Sequence, residues 1–218
     1  MLGGVRRLWG LAGGLVDGLL EVAFPPRCVA CGALLHGAGD AFCFPCGETL
    51  VPAPEGARAA WAYGGQLAVA LERLKYGRQD WIARPLGRLW GAAVAAAARA
   101  DVSAYDAIVP VPLHPARQAR RGFNQAALLA AALGAPVAPR ALRRVRDTRP
   151  QVGLSRADRA ANVAGAFRAT GAAAALAGRR VLVVDDVFTT GATLGECTAA
   201  LRTAGAAAAD VLALAVAE

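Results

Sequence analysis

Residues 181–194 read VLVVDDVFTTGATL, and this stretch narrows the possible folds more than any other. Val181–Val184 is a short apolar, β-branched run suited to a strand buried on both faces. It ends in Asp185 and Asp186, and a hydroxyl-rich turn around Gly191 then opens a helical pattern over Ala192–Thr203. At a strand–turn–helix junction the free backbone N–H groups and the helix dipole favour an anion. Thr189, Thr190 and Thr193 add hydroxyl donors, and Gly191 allows the backbone to approach the anion closely. Carboxylates beside an anion site make sense only if they meet hydroxyls or a metal, such as a ribose 2′,3′-diol or Mg2+. The pattern therefore describes a sugar 5-phosphate, with its phosphate on the loop and its diol on the acids. Neither the P-loop pattern nor the dinucleotide-binding G-x-G-x-x-G turn occurs.

The surrounding residues extend this unit into an α/β body over 59–218. Ala107–Val111 and Val211–Val216 are further expected strands, and helical patterns cover Gln66–Lys75, Ile82–Ala100 and Gln125–Leu133. Arg144–Ala166, polar and arginine-rich, is expected to be a long loop, and loops of that length in compact domains tend to be functional. The +8 net charge is uneven: 106–180 carries +10, whereas 181–218 carries −4. A concentrated cationic field suits a phosphorylated metabolite or nucleic acid; a solvated arginine surface is the plain alternative. Lys75 is the one lysine among 24 basic residues. A solvated helix end is its expected place, with a pyrophosphate contact as the other reading.

Upstream lie three shorter pieces. Residues 1–24 carry leucines at three- and four-residue spacing up to Pro25 and Pro26, which predicts an amphipathic docking helix. Asp17 and Glu21 interrupt the run, which weighs against a signal peptide. No apolar stretch reaches the roughly 18 residues of a membrane span, and the expected compartment is the cytoplasm. Residues 51–58 form a Pro-containing linker.

Between them, residues 25–50 hold Cys28, Cys31, Cys43 and Cys46 as two C-x2-C pairs. Two such pairs close a tetrahedron around zinc, and four thiolates fill its coordination sphere, so the ion is structural. A redox pair would need a thioredoxin-like context that is missing here. Gly32 and Gly47 follow the second cysteine of each pair, where a small residue frees the backbone to curl. His36 is the better placed as a loop histidine than as a ligand. Cys197 is expected to be buried packing.

The 181–194 pattern resembles the phosphoribosyl-pyrophosphate (PRPP) motif of type I phosphoribosyltransferases. Residues 105–125, YDAIVPVPLHPARQARRGFNQ, and 149–162, RPQVGLSRADRAAN, together with the four cysteines, resemble the ComF family of competence proteins. The resemblance implies a type I phosphoribosyltransferase-like fold, a mainly parallel central sheet flanked by helices, with a small zinc ribbon-like module. It implies PRPP with Mg2+, or a ribonucleotide, as ligand, and Asp185 and Asp186 as ribose-contacting, catalytic acids. Thr189, Thr190, Gly191, Ala192 and Thr193 fall on the 5-phosphate loop. Arg117, Arg120 and Arg121 fall where pyrophosphate is held, a task suited to the planar guanidinium fork, with His114 as a further hydrogen-bonding candidate beside them. Gln151, Arg156, Arg159 and Asn162 fall on a mobile loop that closes over the ligand. Purine-salvage members often carry an acid at the position of Thr189, and Thr189 cannot exchange a proton with a base. The implied function is thus a phosphoribosyltransferase tied to DNA uptake. The alternative is a non-catalytic factor that handles single-stranded DNA with the competence machinery and uses the same pocket as a nucleotide sensor.

Overall fold

The computed structural model describes residues 25–37, 40–96, 101–148 and 155–217. The helix expected over 1–24, Arg149 and Gln151 lie outside them, as does the side chain of Arg156.

Alternation of apolar side chains builds the sheet. Four parallel strands lie side by side in the order β1 (Ala59–Ala62), β6 (Ala208–Val216), β5 (Arg180–Phe188) and β2 (Ala107–Pro110), numbered along the chain. Successive side chains of a strand point to opposite faces. In β5, Leu182 and Val184 enter one buried cluster, whereas Val181 and Val183 enter another. In β2, Ile108 joins the first, and Ala107 and Val109 the second. Both faces are therefore covered, as a parallel sheet requires.

Helices α2 (Gly65–Tyr76), α3 (Ala83–Ala96) and α5 (Gln125–Ala130) supply the first layer through Leu67, Leu71, Leu74, Leu86, Trp90 and Leu129. Helix α7 (Ala192–Thr203) supplies the second through Leu194, Cys197 and Leu201, so Cys197 is a packing residue. The short α4 (Pro115–Arg121) lies between β2 and α5 and has no buried residue. A separate antiparallel pair, β3 (Leu142–Arg144) and β4 (Phe167–Ala169), flanks α7.

Two expectations change. The segment Arg144–Ala166 is not a plain loop: Arg144 ends β3, and α6 (Arg156–Val163) occupies its second half. A capping box starts that helix, since Ser155 Oγ donates to Asp158 and accepts the Asp158 N–H at 3.2 Å. The linker is also less free than its prolines suggest. Val51 and Ala53 exchange backbone hydrogen bonds with Ala62 and Ala60, so it folds back along β1.

The cysteine segment packs on this body rather than apart from it. Cys28, Val29, Ala30, Phe42 and Cys46 belong to the same buried cluster as Leu67 and Leu71 of α2. Thr49 Oγ1 donates to the Cys46 carbonyl at 2.8 Å and accepts the Gln66 N–H at 3.1 Å, tying the segment to the first turn of α2.

Close packing of α3 on α5 depends on Gly87. A Cβ there would lie 2.6 Å from Ala132 Cβ and 3.1 Å from the Leu129 carbonyl oxygen. Gly87→Ala should lower stability by about 1–3 kcal/mol through overpacking. Gly195→Ala, with no neighbour within 4 Å in α7, should raise it by up to about 1 kcal/mol. Urea midpoints of the two variants should shift in opposite directions.

Candidate functional site

Parallel α/β sheets present their ligand sites beyond the carboxyl ends of the strands. Here the loops after β2 and β5 meet at that edge around a cavity of about 580 Å3. Asp185, Asp186, Thr189, Gly191 and Thr193 line it from β5 and its loop. Arg117, Arg120 and Arg121 line it from α4, while Lys75, Tyr76 and Arg78 come from α2 and the turn beyond it.

The loop is shaped as an anion cradle. Gly191 is the residue before α7 and has φ 76, a left-handed conformation that glycine adopts without strain. A Cβ at this position would also lie 2.9 Å from the Phe188 ring. The first N–H groups of α7 have no partner within the helix, and the buried Thr190 Oγ1 has no hydrogen-bond partner. Donors at a helix N-terminus suit a phosphate. Ala192, the first helical residue, contributes only backbone to this turn.

The two acids differ in state. Asp186 is buried and ion-paired with Lys75 Nζ, and Gln125 Nε2 donates to its Oδ1 at 3.4 Å. Burial pushes the Asp186 carboxyl up, but Lys75 with Asp185 and Gln125 outweighs it and holds the group below the usual carboxylate range. Asp185 goes the other way: burial and the charge of Asp186 push it well above its ordinary value. One proton is therefore easily kept on the pair. Adjacent carboxyl groups of this kind are matched to a vicinal diol.

The structure brings Arg117, Arg120 and Arg121 to the cavity as the sequence suggests, but two of them are already engaged. Arg117 Nε lies 3.2 Å from Asp147, and its Nη2 donates to the Thr148 carbonyl. Arg121 donates to Gln125 Oε1 and sits 5.7 Å from the centroid of the Tyr76 ring. His114 caps α4 by accepting the Ala116 N–H at 3.4 Å. Among the described residues, none of 155–163 lines the cavity, Arg159 and Asn162 included.

Lys75, Gln125 and Arg144 also line the cavity, and of these the sequence offered only Lys75, with a pyrophosphate contact as its second reading. Lys75 is in the site and not a solvated helix end. Gln125 joins Arg121 to Asp186. Arg144 is buried, donates to Thr148 Oγ1, and stacks 5.1 Å from the Phe167 ring centroid. Only Lys75 carried a signal, as the sole lysine. Nothing in the pattern distinguished Arg144 from its solvated neighbours.

Cys28, Cys31, Cys43 and Cys46 form a second candidate centre. Their sulfurs all lie within 4.8 Å of one another, and Cys31 and Cys43 are 3.6 Å apart. Tetrahedral Zn–S bonds of about 2.3 Å place sulfurs about 3.8 Å apart, so the cluster fits the ion. Burial raises the Cys28 thiol, but backbone N–H groups of Cys31 and Cys43 bring it down to about 6, whereas burial and the neighbouring thiols push Cys46 up. Gly32 (φ 80) makes the left-handed turn after the first pair; Gly47 lies in the helical turn α1 (Phe44–Gly47) and is not left-handed. His36 is exposed and outside the cluster.

The family described as phosphoribosyl transferase domain matches residues 119–217. Competence protein F of Haemophilus influenzae is 37% identical over 210 residues, covering 82% of this chain and 92% of that protein. The DNA utilization protein YhgH of Escherichia coli K12 is 37% identical over 174 residues, 77% of this chain and 75% of that protein. Among solved structures, the allosteric regulatory enzyme of purine biosynthesis aligns with a TM-score of 0.40 at 24% identity over 65% of this chain. The glutamine PRPP amidotransferase from B. subtilis, complexed with ADP and GMP, does so with a TM-score of 0.40 at 23% identity. This chain spans 29% and 30% of those two structures. Among the described residues no helix is long and apolar enough to cross a membrane.

Two predictions come from the titrating groups. Asp185→Asn should raise the melting temperature at neutral pH, because it removes a half-buried acid held beside an anion. The folded-state value of Asp185 is raised, so its penalty is present at higher pH and disappears as the group protonates. The gap between variant and wild type should therefore narrow as pH falls, as read by thermal melts across a pH series. The purified chain should carry one zinc by elemental mass spectrometry. Cys46→Ser should lose it and melt several degrees lower, each kcal/mol being worth about 2–4 °C in a chain of this size.

Proposed function

The chain belongs to the ComF family, whose phosphoribosyltransferase domain it carries, and on that footing we propose that it binds PRPP with Mg2+ and transfers the phosphoribosyl group to an acceptor during the handling of incoming DNA. The observation that carries this reading is the meeting of the Asp185–Asp186 pair with the Thr189–Thr193 cradle in one cavity. The cavity's volume falls within the range of about 300–1,000 Å3 usual for small-molecule sites.

In this reading the 5-phosphate takes the N–H groups and hydroxyls of residues 189–193. The ribose hydroxyls donate to Asp186 and accept from Asp185. The pyrophosphate extends toward Arg120 and Arg121, with Mg2+ sharing its charge. Reaction breaks the C1–O bond, pyrophosphate leaves with the electron pair, and the acceptor's lone pair forms the new bond to C1. Transfer also requires that water be kept from the oxocarbenium-like carbon. The tie to DNA rests on two relatives, one named for competence and the other for DNA utilization. Zinc in the four-cysteine cluster serves the fold and not the reaction.

A second reading, a nucleotide sensor that grips single-stranded DNA together with competence-machinery proteins, is favoured by one observation. Tyr76 is 77% exposed at the cavity wall with Arg121 against its ring, and single-strand binders combine such aromatics with cations. Pyrophosphate release from PRPP, scanned over nucleobases and amines, separates the two. The transferase reading expects turnover with one acceptor class. Binding of PRPP without turnover for any acceptor leaves the sensor, and no binding by calorimetry overturns both. Gly191→Ala should weaken PRPP by about tenfold or more, the value of a lost hydrogen bond to a charged group.

A further inference from the structure

Lys75 lies outside residues 119–217, the span that matches the phosphoribosyl transferase domain, yet it lines the cavity. It is the only lysine in a chain whose other 23 formally basic residues are arginine. Its partner Asp186 is 4% exposed. A buried carboxylate without a cation would be costly, and one lodged between two phosphate subsites would also repel the ligand. Lysine suits this place better than arginine: its compact ammonium has three donors, so one serves Asp186 while the others face the cavity.

The helix that delivers Lys75 is held at both ends. Thr49 joins its first turn to Cys46, and Arg73, in its last turn, donates to the Ala30 carbonyl between Cys28 and Cys31. Leu67, Leu71 and Leu74 are fully buried beneath it. Lys75 is therefore anchored from the cysteine segment, while Asp186 is anchored in the sheet.

Resting on the phosphosugar reading above, we propose that Lys75 is a positioning residue of that site: by pairing with Asp186 it fixes this carboxylate as the acceptor for a ribose hydroxyl and cancels its charge beside the phosphates. Lys75 pairs with Asp186, the acid this reading gives to the sugar, so Lys75 serves the sugar and not the 5-phosphate. This separates its role from general support of the fold.

Calorimetry on the full chain with two probes, ribose 5-phosphate and inorganic phosphate, tests it. Lys75→Met should weaken ribose 5-phosphate by about 10- to 100-fold, while inorganic phosphate stays within about twofold. Lys75→Arg, which keeps the charge, should recover most of the loss. Circular dichroism checks folding; if Lys75→Met does not fold, Lys75→Gln, which keeps a neutral donor, carries the same expected split. Equal weakening of both probes, or no change in either, overturns the proposal while the phosphosugar reading stands. Failure of the wild-type chain to bind ribose 5-phosphate overturns that reading itself.

Discussion

A carboxylate at the buried end of a sheet strand keeps its charge only if a cation is brought to it. In this chain Asp186 is that carboxylate, and Lys75 is the cation. Much of the architecture follows from the need to hold the two together. Strand β5 sits between β6 and β2, which fixes Asp186 from the sheet side. Helix α2 fixes Lys75, and it is itself pinned by Thr49 and Arg73 to the segment that carries the four cysteines. The cysteine module thus supports one wall of the cavity, although it lies outside the matched phosphoribosyl transferase domain.

With one acid neutralised, the other becomes chemically distinct. Burial and the charge of Asp186 push Asp185 well above the usual carboxylate range, while Lys75 holds Asp186 below it, so the two acids of the pair are no longer equivalent. A few residues further on, Gly191 bends left-handed under the Phe188 ring and opens the N-terminus of α7. Arginines on α4 add positive charge on the far side, and their present partners, Asp147, Thr148 and Gln125, are side chains and backbone that a stronger anion would displace.

The parts of this arrangement that depend on local chemistry were legible in the sequence. Helix α7 begins and ends where its pattern predicts, because glycine before it and apolar spacing within it act locally. The acids, the threonine loop and the cysteine cluster follow from adjacency in the chain. Elements that rest on distant partners were not legible. Strand β1, with Ala59, Ala60 and Ala62 around Trp61, has little strand character of its own and exists because β6 pairs with it. Strand β5 runs past its apolar core to Phe188 because Asp185, Val187 and Phe188 find partners on β6. Arg144 and Gln125 look like surface residues until tertiary packing buries them. Helix α6 was hidden in polar composition, although its Ser155–Asp158 capping box was readable in retrospect.

The most direct test of the whole account is a crystal structure of the chain with PRPP and Mg2+ diffused in. The account predicts density for the 5-phosphate against the backbone of residues 189–193, with the ribose hydroxyls in hydrogen-bonding range of Asp185 and Asp186. Ligand bound only along the arginines of α4, with the cradle and the acid pair untouched, would contradict it.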